Sequence, residues 1–364
     1  MNKRFWKDKK ILITGHTGFK GGWLSVMLHT VGSKVSGFAL DPVGKNNFFN
    51  NVKVKKILKN DFRHDIIDIN FLKKSIKKIK PEIIFHLAAQ SSVIESFKSP
   101  TQTIKSNVLG TANIMEAIKS DSNVKCLIII TTDKVYQNYK TKKLFSENSQ
   151  LGGDDVYSGS KASCEIIVNS YRKSFFQNSN CKIATVRAGN CFGGGDWTKD
   201  RIVKDALECF SSNRNLVLRM PDATRPWQHV IEPLYGYMLL AEKLCSKKGK
   251  DFAKPWNFGP NTSQNMKVIN LVKIIKEKMS SKSKIRINKK FKKINNKLKT
   301  FESKYLNISS KNIFKALKWR PILSINQAID FTIEWHAGFK KRKNLLELSK
   351  IQIINYLQKL NLKI

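Results

Sequence analysis

The chain has no run of about 20 apolar residues, so its sequence offers no membrane-spanning helix. No Cys-x-x-Cys pair and no histidine cluster accompany its six cysteines, at 126, 164, 181, 191, 209 and 245. That pattern reads as reduced thiols and argues against a zinc site, so no metal is expected. The stretch Met1–Lys10 is charged and lacks the apolar core of a secretory signal, which makes a cytoplasmic protein the expectation. No Pro- or Ser-rich linker divides the 364 residues, so any second domain should meet the first across a packed cleft.

Acidic residues are scarce as well: 27 Asp and Glu face 67 Lys and Arg, for a formal net charge of +40. Such a field could draw in nucleic acid or a membrane surface. Yet lysine outnumbers arginine and is spread along the whole length, which reads as compositional bias and suits a small anionic ligand. Nine Lys and Arg lie between Lys282 and Lys299, but Phe291 is the sole aromatic among them, so a base-stacking platform is not expected. Neither a membrane nor a nucleic acid is therefore the expected partner.

What is present is an alternation. Short β-branched runs at Lys10–Thr14, Lys34–Phe38, Ile83–Leu87, Leu127–Thr131 and Lys182–Arg187 are separated by helical spacing over Gly22–Val31, Phe71–Lys78, Ile104–Ile118 and Tyr157–Phe176. This rhythm predicts βαβ units, hence an α/β fold: a doubly wound, Rossmann-type parallel sheet. After about Gly189 the rhythm changes. "GNCFGGGDWTKD" reads as a glycine-rich loop before a helix near Ile202–Phe210, and "RMPDATRPWQHV" as a loop leading into another helix. The expected division is a cofactor domain over 1–188, with a returning segment near 226–250, and a smaller α/β substrate domain made mainly from 189–364.

Within "ILITGHTGFKGGWL", Gly15, Gly18 and Gly21 follow a strand and open a helix. A pyrophosphate needs close backbone approach and the free N–H groups of a helix N-terminus, so this is the context of a dinucleotide site. Asp41 ends the next strand 20 residues beyond Gly21, where a carboxylate can accept from an adenine ribose. "HDIID" at 64–68 follows a strand, and "HLAAQ" at 86–90 ends another with small residues against which a flat cofactor can lie. Tyr157 and Lys161 stand one helical turn apart, where an ammonium is expected to lower the phenol's pKa and make it a base. "TTDKVY" upstream places Thr132 where its hydroxyl can meet a substrate hydroxyl. His16 is expected in the cofactor loop and His86 buried at a strand end.

Together "TGHTGFKGGWL", "HLAAQ", "TTDKVY", "YSGSKASCE", "RAGNCFGGGDW", "RPWQHV", "WNFGP" and "FESKYLNISSKNIFKALKWRP" resemble the extended short-chain dehydrogenases. Within them the likeness is to the nucleotide-sugar 4,6-dehydratases, most of all the CDP-sugar branch, and it covers almost the whole chain. The resemblance implies NAD as cofactor, held by Gly15, Thr17, Gly18, Phe19, Lys20, Gly21, Asp41, Asp65, Ile66, Leu87, Ala88, Ala89, Asn107, Tyr157 and Lys161. It implies C4 oxidation by Tyr157 with Lys161 and Thr132, then loss of water across C5 and C6 with Asp133 as acid and Lys134 as base. Hydride return to C6 completes the reaction. Gln90, Asn190, Arg201 and Arg225 would bind the nucleotide sugar, the arginines at its diphosphate. Relatives acting on dTDP-glucose carry Glu where Lys134 stands. Gly159 replaces a larger residue usual in relatives, which weakens the helix start without removing a functional group. The family further implies a homodimer or homotetramer. A 4-epimerase, a dehydratase of another nucleotide sugar and a dinucleotide-sensing binding protein are the alternatives; Asp133 with Lys134 disfavours the first, and the intact Tyr–Lys pair the last.

Overall fold

The computed structural model describes residues 1–138, 144–260, 264–288 and 305–362. The basic run expected over 282–299 falls within them only as far as Asn288, and residues 301–304 of the resemblance also lie outside the described residues.

The apolar β-branched runs become strands β1 (Lys10–Thr14), β2 (Lys34–Ala39), β3 (Asn60–Arg63), β4 (Ile83–His86), β5 (Cys126–Ile130) and β6 (Lys182–Ala188). Later in the chain come β7 (Asn190–Phe192), β8 (Leu216–Leu218), β9 (Thr224–His229), β10 (Pro255–Phe258), β11 (Asn265–Lys267) and β12 (Ile285–Ile287). One seven-stranded sheet has the order β10-β6-β5-β4-β1-β2-β3, and all its pairings are parallel. Helices cover both faces. Strands such as β5, Cys-Leu-Ile-Ile-Ile, are buried throughout, which explains runs without alternation. The strand order reverses between β1 and β4, so the crevice outside their carboxyl ends is where this architecture binds ligands.

Two findings differ from the sequence reading, and one strand is given its bounds. β3, Asn-Asp-Phe-Arg, is the edge strand expected before "HDIID"; it carries no apolar pattern because it is only half-buried. The helix expected over Ile104–Ile118 is split into Pro100–Ile104, a π turn at Lys105–Leu109, and Gly110–Ile118. The cause is local: the Thr111 hydroxyl (2.7 Å) and the Cys164 thiol (3.1 Å) both donate to the Asn107 carbonyl and disturb the helical ladder. The expected loop through Arg225 instead contains β9, the middle strand of a three-stranded sheet ordered β11-β9-β7. Pro226 within it disguised the strand.

A separate apolar cluster joins Phe192, Val203, Leu207, Leu218, Trp227, Leu271 and Ile329 beyond the main sheet. The chain also returns. Helix Ile231–Leu244 packs on β5 and β6, β10 extends the sheet beside β6, and helix Leu345–Lys359 packs against helix Phe19–Thr30.

Candidate active site

The turn after β1 is built around two glycines. Gly15 has φ +75°, and a Cβ there would lie 2.6 Å from the Ala88 nitrogen, across the β1–β4 crevice. A Cβ on Gly21 would lie 2.3 Å from the Gly15 carbonyl oxygen. Gly18 is less constrained, meeting only the Gly15 oxygen at 3.4 Å. It caps helix Phe19–Thr30, which starts three residues earlier than expected, with no side-chain cap bond and no acid in the first turn. The open backbone N–H groups and positive dipole there suit an anion. Phe19 packs partly on the core. The charge of Lys20 acts on Asp133 and Lys161, so it faces the catalytic candidates.

The neighbouring strand ends complete this half. The Ala88 N–H donates to the Thr14 hydroxyl (3.2 Å) and the Leu87 N–H to the Thr14 carbonyl (3.0 Å), leaving Leu87, Ala88 and Ala89 half-buried along the crevice. Thr17 donates to the Leu40 carbonyl at 3.0 Å, and Asp41 beyond it is exposed. Asp65 accepts from the Ile67 N–H, and Ile66 is buried against Gly110. The sequence reading missed Arg63, whose guanidinium reaches the Leu40 carbonyl (3.4 Å) and the Asp61 carboxylate (2.9 Å) on the half-buried β3. Asp61 also bonds His16 Nε2 at 2.8 Å. His16 is thus in the loop but fully buried, and burial pushes its pKa down. His86 is buried between Thr14 and Thr111, its pKa pushed down to about 3 by burial and by the Lys161 charge.

The catalytic candidates converge at the end of β5. Thr132 caps a short turn over Asp133–Val135, donating to Asp133 Oδ1 at 3.1 Å and accepting from the Lys134 N–H. Asp133 is 2% exposed and its Oδ2 has no hydrogen-bond partner. Burial pushes its carboxyl above the usual aspartate range, although Lys134, Thr132, Lys20 and Arg225 all pull the other way. Asp133 is thereby held towards its protonated form. Tyr157 and Lys161 lie on helix Val156–Ser174, capped by Asp155 through the Ser158 N–H. Burial pushes the Tyr157 phenol up to about 12, against the pull of the Thr132 hydrogen bond and the Arg201 charge. The expected lowering by Lys161 is therefore corrected. Its Nζ turns to the Ile130 carbonyl (3.1 Å), and burial lowers its own pKa.

Asn107 holds this group together from the π turn. Its amide donates to the Gln90 carbonyl (3.1 Å) and to Ser160 Oγ (2.9 Å), and its Oδ1 accepts from the Gln90 N–H (2.8 Å). The Gln90 side chain is engaged with Ser92 and with Thr103. A cavity of about 190 Å³ opens beside the turn, lined by Lys134, Asn190, Arg201 and Arg225 but not by Gln90. Asn190 comes from β7, Arg225 from β9, and Arg201 precedes helix Ile202–Ser211. Further lining residues went unassigned in the sequence reading: Gly193–Gly195, Trp197, Trp227 and Arg219, the last paired with Asp200 at 3.2 Å. For Gly193–Gly195 and Trp197 the signal was the glycine-rich "FGGGDW" run. Trp23 of the glycine-capped helix donates to the Gly194 carbonyl at 2.9 Å, joining the two halves of the site. Among the described residues, no group of three or more His, Cys, Asp or Glu could hold a metal ion.

A family model described as GDP-mannose 4,6 dehydratase matches residues 12–332. The chain is 36% identical to the CDP-glucose 4,6-dehydratase of Salmonella typhimurium, over 98% of each chain. It is 24% identical to the dTDP-D-glucose 4,6-dehydratase of Homo sapiens over 93% of each. Among solved structures, the dTDP-glucose 4,6-dehydratase of Bacillus anthracis in complex with NAD superposes with a TM-score of 0.75 at 22% identity, covering 93% of this chain and 99% of that one. The epimerase Mth375 of Methanothermobacter thermautotrophicus gives 0.77 at 19% identity, covering 93% and 96%.

Proposed function

The chain belongs to the GDP-mannose 4,6-dehydratase family, and on that premise we propose that it converts CDP-D-glucose to CDP-4-keto-6-deoxy-D-glucose and water, with NAD as a recycled cofactor. The observation that carries this reading is Asp133: a buried carboxyl held towards its neutral form, with one oxygen unpartnered, beside Lys134 on the cavity wall. An epimerase needs no such acid–base pair.

The residues fit NAD. Gly15 and Gly21 let the turn fold tightly against the Leu87–Ala88 backbone and onto itself, where a Cβ would collide, and the open N-terminus of helix Phe19–Thr30 that this turn presents suits the pyrophosphate. Asp41 would take the adenine ribose, Asp65 and Ile66 the adenine side, and Leu87–Ala89 the flat face along the crevice, with Lys20 and Lys161 near the reacting end. When bound, NAD supplies reversible hydride uptake. Tyr157 takes the proton of the sugar's C4 hydroxyl in its phenolate form, which the Thr132 hydrogen bond and the Arg201 charge favour and burial opposes, with Lys161 one turn away on the same helix face. The C4 ketone makes the C5 proton acidic; Lys134 removes it, and Asp133 protonates the departing C6 hydroxyl. Arg225, Arg201 and Asn190 hold the diphosphate and sugar, with Gln90 acting through its ties to Asn107. The 36% identity to a CDP-glucose enzyme supports the CDP-sugar over other nucleotide sugars, as does a lysine at 134.

A 4-keto-6-deoxy sugar suits deoxysugar synthesis for surface polysaccharide such as O-antigen, in the cytoplasm. We also propose a homodimer, or a homotetramer built from it. Ile94, Ile104, Leu109 and Ile166 are exposed on helices that pack against one another, an apolar face suited to a second copy. A Ile104→Asp, Ile166→Asp variant should run as a monomer in light scattering; a monomeric parent protein would contradict the assembly. No nucleic-acid partner is needed to account for the basic charge.

Asp133→Asn should still oxidise C4 but stall before elimination, seen as reduced cofactor accumulating on the enzyme, with turnover down by about 100-fold or more. Normal product formation by this variant would remove the assigned acid.

A further inference from the structure

The turn carrying Thr132, Asp133 and Lys134 is bracketed by two residues that the proposed mechanism does not use. On one side, Thr131 donates its hydroxyl to Glu165 Oε1 at 2.5 Å. On the other, the Tyr136 hydroxyl accepts from Arg187 Nη1 at 2.8 Å and donates to Asn257 Oδ1 at 2.6 Å. Glu165 and Arg187 are themselves paired. Arg187 Nε reaches Oε1 at 2.9 Å and Nη2 reaches Oε2 at 2.8 Å, with both side chains 2% exposed. Thr185 fills a further site on the carboxylate at 2.6 Å. Burial alone would raise the Glu165 carboxyl; Arg187 and the two threonine hydroxyls more than offset it and hold it below the usual range.

Placement makes this more than core packing. Glu165 is one helical turn beyond Lys161 and two beyond Tyr157, so the three share one face of the helix. Arg187 lies near the end of β6, the strand beside β5. Its guanidinium also sits over the Tyr136 ring at 5.0 Å, and that ring stacks on Phe145 at 5.1 Å. Asn257 continues the path through its N–H to Glu147 Oε1 at 2.9 Å. Side-chain ties at both ends of the four-residue turn 132–135 thus lead to one ion pair, whose Glu165 sits on the helix that carries Tyr157.

We propose that the Glu165–Arg187 pair, acting through Thr131 and Tyr136, is a positioning clamp that fixes the catalytic turn against Tyr157 and Lys161. This rests on the dehydratase reading of the site. A displacement of about 1 Å at a reacting group is enough to cost a large factor in rate, so loosening either bracket should lower kcat while leaving KM alone. The two brackets should fail differently. The Thr131 side adjoins Thr132 and serves C4 oxidation. The Tyr136 side adjoins the Asp133–Val135 turn and serves elimination.

Replacing Glu165 or Arg187 would leave a buried charge unpaired and endanger folding, so the hydroxyls are the handles. Thr131→Val and Tyr136→Phe keep shape and delete one polar tie each, and Thr185→Val deletes a tie to the same carboxylate away from the turn. With CDP-glucose, Thr131→Val should lower kcat about tenfold, at a KM within about twofold, and slow the appearance of reduced cofactor. Tyr136→Phe should lower kcat about tenfold with reduced cofactor accumulating instead, while Thr185→Val stays within about twofold of the parent at a similar loss of thermal midpoint. If kcat in all three simply follows lost stability, or if both bracket variants keep the parent kcat, the clamp is wrong. If the parent protein itself forms no product, the dehydratase reading fails rather than the clamp.

Discussion

At the residue scale, burial sorts the titrating groups of one small site. Burial keeps Asp133 towards the acid form and Tyr157 protonated with a pKa pushed up to about 12. A raised carboxyl pKa gives a signed prediction. Asp133 can deliver a proton below its raised pKa and loses that ability as pH climbs through it. Oxidation does not depend on this acid, so the fraction of enzyme carrying reduced cofactor at steady state should increase with pH. A fraction constant across the alkaline range would place the acid elsewhere. The sequence nominated these candidates, since Thr132, Asp133, Lys134, Tyr157 and Lys161 occur in two short motifs, and the fold brings both motifs to the end of β5. The behaviour of Lys161 was not legible there. A Y-x-x-x-K spacing fixes which helix face two residues share, but not where a long lysine tip points, and here it points to the Ile130 carbonyl. Arg63 and Asp61 escaped notice for a related reason: they lie on an edge strand without an apolar pattern.

At the scale of elements, Glu232 at the start of helix Ile231–Leu244 ties the C-terminal part of the chain to the sheet. Its Oε1 accepts from the Ile322 (2.9 Å) and Leu323 (2.7 Å) N–H groups, and its Oε2 from the Tyr356 hydroxyl (2.7 Å). Tyr356 belongs to helix Leu345–Lys359, which packs on the glycine-capped helix Phe19–Thr30. Burial raises the Glu232 carboxyl from 4.5 to about 7, with those three bonds opposing it. The raised value fixes the sign: this group's stabilisation is full below about 4.5 and is lost as pH rises through about 7, a swing of order 3 kcal/mol. The thermal midpoint should therefore fall between about pH 5 and about pH 8, and Glu232→Gln should flatten that slope. An unchanged slope in the variant would assign the pH dependence to other groups. Helices and central strands were legible because their apolar periods are long. The π turn and β9 were not, because a side-chain hydrogen bond to a carbonyl and a proline within a paired strand override local pattern.

At the scale of the molecule, the doubly wound sheet follows from the alternation of β-branched runs and helical periods, whose order determines the crevice. The second core around Trp227 and Leu271 was legible only as a change of rhythm, since short strands from distant parts of the chain make its two small sheets. The excess of 67 basic over 27 acidic residues fits a dianionic substrate without specifying it. Reaction and substrate are best tested together. Incubating the NAD-loaded protein separately with CDP-glucose, dTDP-glucose and GDP-mannose in deuterated water, and weighing the products by mass spectrometry, reads both. The account predicts loss of one water from CDP-glucose alone, with one deuterium gained at C5. Loss of water from a different nucleotide sugar would contradict the specificity. Unchanged masses for all three, from folded and NAD-loaded protein, would contradict the dehydratase itself.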